Sequence, residues 1–214
     1  MIQALIPLLM LFGIATIFKT IVFNAGQKRN TWIEEEIERD RVANFARRKD
    51  IPENLFYVPD LENLPIKDYP NNDDTFYSVI TSQKKVTEKV NLKMLKLSPP
   101  LSNVEIKERF GYANLEDIID YEENYYEYIH ALNNFAVSLI KINDIESAEK
   151  VLLSSILEME SNIIKTYSLL FKIYLDTNEK NKLTEIYEHI ISSPSLEHED
   201  DLKSKIKNQY NNII

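Results

Sequence analysis

Apolar residues fill the chain from Ile2 to Phe23 with a single charge, Lys19, and beyond that point recur only at intervals among polar neighbours. At ~1.5 Å per residue a helix over this stretch measures ~33 Å, enough for a hydrocarbon core of ~30 Å, and residues 1–23 are expected to form a transmembrane anchor. A cleaved signal peptide wants an early positive charge, a shorter apolar region and a small-x-small cleavage site. Here no charge precedes Lys19, Phe23-Asn24-Ala25 is a poor site, and the Cys of a lipoprotein signal is missing. A buried core helix wants a polar face, and positions 2–18 offer only Gln3 and Thr16. Lys19 sits near the edge of the span, where its ammonium can snorkel to the interface.

After the anchor the pattern predicts a juxtamembrane helix within 24–50. Thr31-Trp32-Ile33-Glu34 reads as a capping box that starts it, with Glu34, Glu35, Glu36 and Glu38 early and Arg47, Arg48 and Lys49 at its end, as the helix dipole favours. A solvated spacer is the plain reading. A helix lying on the membrane surface is the alternative, with Trp32, Ile33, Ile37, Val42 and Phe45 as a sparse apolar face. Residues 51–70 carry Pro52, Pro59, Pro65 and Pro70, which forbid continuous helix, together with Leu55, Phe56, Tyr57, Leu61 and Leu64, which are too many large apolar groups for a free linker. Part of this segment should pack, on its own chain or on a partner. Capping residues at 71–74 then open a helix to about Leu97, with Phe76, Val79, Ile80, Val86, Val90, Met94 and Leu97 on one side and Lys84, Lys85, Lys89, Lys93 and Lys96 on the other. Ser98-Pro99-Pro100 stops it, and Ser102 or Asn103 caps a short helix ended by Gly111. The region 71–128 is read as helices packing on those beyond residue 128. Tyr121, Tyr125, Tyr128 and Leu132 form one core-facing stripe.

From Ile129 the chain reads IHALNNFAVSLIKINDIESAEKVLLSSILEMESN. Leu132, Phe135, Ala136 and Leu139 sit on one helix, Asn143-Asp144 at a turn, and Ala148, Leu152 and Ser155 on a second helix. A second copy begins near Ile164 with Tyr167, Leu170, Phe171 and Tyr174, the turn Asn178-Glu179, then Leu183, Tyr187 and Ile190. This pattern over 129–194 resembles two tetratricopeptide repeats. It departs from the family at Phe171 and Leu183, where small residues are usual, at Glu160 in place of proline, and at Asn143 near the usual glycine. Residues 195–214, with Leu202, Ile206, Tyr210 and Ile213 in a single stripe, look like a capping helix. The fold class expected is therefore all-α: an N-terminal transmembrane helix followed by an antiparallel helical repeat, a tetratricopeptide-like α-solenoid or bundle.

The resemblance implies a peptide-binding groove on the first helix of each copy. It would be lined by His130, Asn133, Asn134, Val137, Ile140 and Lys141, and in the second copy by Lys165, Ser168 and Lys172. Asn amides can bond a peptide backbone and ammonium groups a carboxylate. The plainer reading of any one of these residues is solvated helix surface.

Charge adds a second candidate. The net −9 resides in residues 101–160, which hold 4 bases and 13 acids. Glu116, Asp117, Asp120, Glu122, Glu123 and Glu127 fall within twelve residues that contain no base, a surface suited to a basic partner and, weakly, to divalent cations. There is no basic face for nucleic acid. With Gly13, Gly26 and Gly111 as the only glycines there is no phosphate loop or nucleophile elbow, and without Cys or an HExxH spacing no zinc motif, so neither catalysis nor a cofactor is expected. Lys28, Arg29 and later bases follow the anchor and none precedes it, which predicts a single-pass protein with its N-terminus outside and its domain in the cytoplasm. The function expected is that of a membrane-anchored adaptor or assembly scaffold for a protein partner, with self-association open. Placement of the same fold outside the cytoplasm as an envelope or secretion accessory protein, or binding to lipid surfaces, are the alternatives.

Overall fold

Helix α1, Ile2–Ala43, runs without a break through the position where the sequence places a new helix start. The Thr31 hydroxyl does not cap; it donates to the Gln27 carbonyl at 2.7 Å, the back-bond of a residue inside a helix. With no proline between residues 24 and 43, nothing obliges the chain to stop there. The computed structural model describes the backbone of residues 2–70, 73–192 and 200–211, and the side chains in those ranges except residues 2–17, 26, 28 and 200–202. Among the described residues no helix is long and apolar enough to cross a membrane. Residues 2–17, which hold most of the expected anchor, have side chains outside the described set, as do Leu202 and Ile213 of the expected capping stripe.

After α1 come β1 (Phe56–Tyr57), α2 (Asp74–Lys89), β2 (Met94–Leu95), α3 (Asn103–Phe110), α4 (Leu115–Lys141), α5 (Ile145–Leu157), α6 (Ile164–Asp176), α7 (Lys180–Ser192) and α8 (Asp200–Asn211). The fold is thus helical apart from one antiparallel ribbon, in which Phe56 faces Leu95 and Tyr57 faces Met94. That ribbon corrects the expected helix to Leu97. Met94 and Leu97 fit a helical stripe, but pairing with the proline segment draws the chain after Lys89 into a turn and a strand. Two compact units result: Met1–Ile51 with Pro99–Asp117, and Pro52–Ser98 with Ile118–Ile214. Residues 99–117 therefore group with α1 and not with the later helices as expected.

In the first unit Ser102 and Glu105 form a reciprocal capping box at the start of α3, and Gly111, at φ +92°, ends it. A Cβ at Gly111 would lie 2.3 Å from the Arg47 carbonyl oxygen, so glycine is required by both conformation and space. Around a small core of Ala43, Val104, Ile106 and Phe110, polar bonds join α1 to α3. Arg39 donates twice to Glu108, at 2.8 and 2.6 Å, and holds that carboxyl below its ordinary pKa. The buried Lys107 ammonium donates to Asp40 at 2.7 Å and to Asn44 at 2.8 Å. Asn114 ties the two strands of chain together by donating to the carbonyls of Lys49 and Phe110.

The second unit has a continuous apolar core. It draws Tyr125, Tyr128, Leu132 and Phe135 from α4, Val151 and Leu152 from α5, Leu170 and Phe171 from α6, Leu183 and Ile190 from α7, and Ile206 from α8. The tyrosine stripe thus faces the core. The proline segment packs on its own unit: Leu64 is buried, and the Lys67 ammonium donates to Asp144 and Ser147 at 2.7 and 2.9 Å. The turns from α4 to α5 and from α6 to α7 share one pattern 35 residues apart. Asn143 and Asn178 both adopt positive φ, at 62° and 58°. Asp144 N donates to Leu139 O, and Glu179 N to Tyr174 O.

The loop between α5 and α6 is held differently. Glu160 also has positive φ, at 48°. Tyr57 donates to its carboxylate at 2.8 Å, Lys96 to its carbonyl at 2.7 Å, and Tyr125 to the carbonyl of Met159 at 2.7 Å. Burial first, and then the Glu160 carboxylate, push the Tyr57 hydroxyl up to about 12.

Candidate binding surfaces

Between Tyr128 and Leu139 helix α4 is buried on nearly every side, and what stays open is a single row: His130, Asn134 and Lys141 exposed, Val137 half-buried. The spacing of four, three and four residues is one face of a helix. On α6 the corresponding row is Lys165 and Lys172, exposed, and Ser168, half-buried with its hydroxyl donating to the Ile164 carbonyl. The two rows adjoin, since the Lys165 ammonium reaches the Asn134 amide oxygen at 3.4 Å. Lys141, Lys165 and Lys172 have no carboxylate partner among the described residues. Seven of the nine residues expected to line a groove therefore share one polar, basic strip.

Asn133 and Ile140 are the exceptions, and Asn133 corrects the sequence reading most. It points into the core, fully buried, and neither atom of its amide has a hydrogen-bond partner among the described residues. Helix α4 is covered on this side, so a residue one step along from Asn134 cannot reach the open face. Ile140, expected beside it, is half-buried and packs against the core.

The acidic run is partly spent inside the protein. Arg48 pairs with Asp117 at 3.5 Å, the Glu122 carboxylate accepts from Leu97 N at 3.1 Å, and Lys89 pairs with Glu127. Glu116, Asp120 and Glu123 remain exposed without such partners among the described residues, too few for the continuous acidic surface expected. The lysine-rich face is used similarly. Lys84 pairs with Glu88, Lys89 with Glu127, Lys93 and Lys96 lie over the rings of Tyr121 and Tyr125, and only Lys85 is left unengaged among the described residues.

A cleft of about 480 Å³, which the sequence reading did not single out, opens between α5 and α7 over α6. Its floor is Tyr167 and Tyr174. The signal for it was legible in part: Leu153, Ile156 and Leu157 form a second apolar row on α5, off the positions assigned to packing. Among the described residues no group of His, Cys, Asp and Glu is arranged to hold a metal ion. Comparison with protein-family profiles, with curated proteins and with solved structures finds no match.

Proposed function

We propose that this protein is a membrane-tethered adaptor, anchored through residues 2–23, that presents a tetratricopeptide-like helical domain in the cytoplasm and binds an extended, acidic segment of a protein partner. The observation that carries the reading is the strip of Lys141, Lys165 and Lys172, uncompensated among the described residues, beside Asn134 on adjoining faces of α4 and α6 in a chain of net charge −9. Three ammonium groups without a carboxylate partner among the described residues, gathered on one face of an acidic protein, suit a ligand that supplies carboxylates, and the Asn134 amide can bond a peptide backbone. The 35-residue recurrence of the Asn143 and Asn178 turns supports a tandem repeat, an architecture whose stacked helices expose extended binding faces. Tethering raises the local concentration of whatever the strip holds.

The test is crosslinking and affinity capture from detergent-solubilised membranes. A discrete partner is expected with the native chain and is expected to be lost with the combined variant Asn134→Ala, Lys165→Ala and Lys172→Ala, three exposed positions whose replacement leaves the core intact. Capture that is identical with the variant would remove the strip from the function. A reporter fused at the C-terminus reads the topology, and activity on the outer side would overturn the cytoplasmic placement.

A further inference from the structure

The cleft between α5 and α7 differs in kind from the basic strip. Its floor hydroxyls are already bonded: Tyr167 donates to the Ser161 carbonyl at 2.8 Å and Tyr174 to the Glu149 carboxylate at 3.0 Å. Its walls are helices, whose backbone groups are paired within themselves, so no strand edge is offered to an incoming chain. An extended peptide lying along the apolar floor would find no backbone edge to pair with there. A helix satisfies its own backbone and brings only side chains, and that decides the conformation of the occupant.

The lining decides its chemistry. Leu153, Ile156 and Leu157 stand on one wall and Ile186 on the other, and Leu157 at the rim is 74% exposed, a large apolar surface left to water. His189 lies stacked on the Tyr167 ring, with centroids 5.0 Å apart, and extends the apolar floor. The charge in the cleft is not balanced. Lys182 is held between Glu149 and Glu179, each at 2.8 Å, and so is neutralised from within. Glu185, exposed on the same α7 wall as Lys182 and Ile186, has no partner among the described residues. What remains is an excess of negative charge beside an apolar trough, with Glu185 the carboxylate that has no partner among the described residues.

We propose that this cleft is a docking site for an amphipathic helix of a protein partner, whose apolar side chains enter against Leu157 and Ile186 while a Lys or Arg at the edge of its apolar face meets Glu185. The inference rests on the adaptor reading only for the class of ligand, a protein; it uses none of the residues of the basic strip.

The probe is a phage-displayed library of Ala-based helical peptides, randomised at i, i+3, i+4 and i+7 and at one flanking position. It is panned on the full-length chain in detergent micelles and, in parallel, on Leu157→Asp, on Glu185→Lys and on the combined strip variant. Both cleft residues are exposed, so these substitutions leave the fold in place. Expected is enrichment of large apolar residues with a flanking Lys or Arg, a loss of about tenfold or more in recovery on Leu157→Asp, and a switch of the flanking position to Asp or Glu on Glu185→Lys. The strip variant should recover the same peptides as the native chain. No enrichment, selection of flanking acids by the native chain, or enrichment that survives both cleft substitutions would overturn the proposal. Because the strip is tested by its own capture experiment, either reading can fail while the other stands.

Discussion

The two units are held together by different physics. In the second unit a continuous core reaches from Leu64 to Ile206, and its stability comes from apolar area and close packing. In the first, a few apolar groups are supplemented by the Arg39–Glu108 pair, the buried Lys107 with Asp40 and Asn44, and a backbone approach that only Gly111 permits. One unit resists point changes by bulk and is sensitive to cavities; the other depends on a few directed contacts and on backbone fit. Truncating a side chain should therefore hurt most in the second unit, and altering charge or backbone geometry should hurt most in the first.

The sharpest probe of that contrast is Phe135→Ala. It empties part of a fully buried position in the second unit and should cost about 3–5 kcal/mol in urea unfolding. Next comes Gly111→Ala, which meets both a positive φ and the Arg47 carbonyl; a cost of about 2–3 kcal/mol is expected. Hydrogen exchange should then rise at α3 amides while those of α5 to α7 keep their protection, and equal loss in both units would break the comparison. Lys107→Met leaves Asp40 and Asn44 without their shared donor and should cost about 1–2 kcal/mol, again read at α3. Asn133→Leu should go the other way, raising stability by about 1 kcal/mol, because it replaces a buried unpaired amide by an apolar group of similar size.

The smallest effect concerns Lys67 and Asp144. Burial pushes the Asp144 carboxyl up, but hydrogen bonds from Lys67 and Ser147 outweigh it and hold the group below its ordinary value of 3.8. A carboxyl depressed in the folded state stabilises above its unfolded pKa and loses that contribution as pH falls through the folded one. Lys67→Met should therefore cost about 0.5 kcal/mol at pH 7, and this difference should fade as the pH is lowered from about 4 through the depressed value. A constant difference across that range would mean that the Lys67 stem, not its charge, matters.

Local signals in the sequence were good guides wherever the chain answers to its neighbours. The start of α2 at Asp73, the capping box at Ser102 and Glu105, the stop at Gly111 and the turn at Asn143 could all be read from residue type. Long-range choices could not. Nothing near Met94 and Leu95 distinguishes a helix from a strand, since the partner that decides is Phe56-Tyr57, nearly forty residues earlier. Thr31 has the right residues for a cap, but the helix before it does not stop. The same limit applied to the candidate sites. Helical periodicity brought Asn134 and Lys165 into view, but it could not tell that Asn133 is covered, that half of the acidic run has internal partners, or that two rows on α5 and α7 leave a trough between them.

The bonds at Glu160 also bear on biosynthesis. Of the side chains that bond the loop between α5 and α6, Tyr57, Lys96 and Tyr125 precede it in the chain, and Tyr167, which donates to Ser161, follows it. A ribosome working from the N-terminus therefore delivers the three upstream donors first, and the left-handed residue emerges into the vicinity of groups ready to fix it. The turns at Asn143 and Asn178 need no such help, since their bonds are to carbonyls three to five residues back. Synthesis order thus matters at this junction, where donors from far upstream meet the loop, and a circularly permuted chain that begins after residue 125 should find its second pair of helices later than the native chain does.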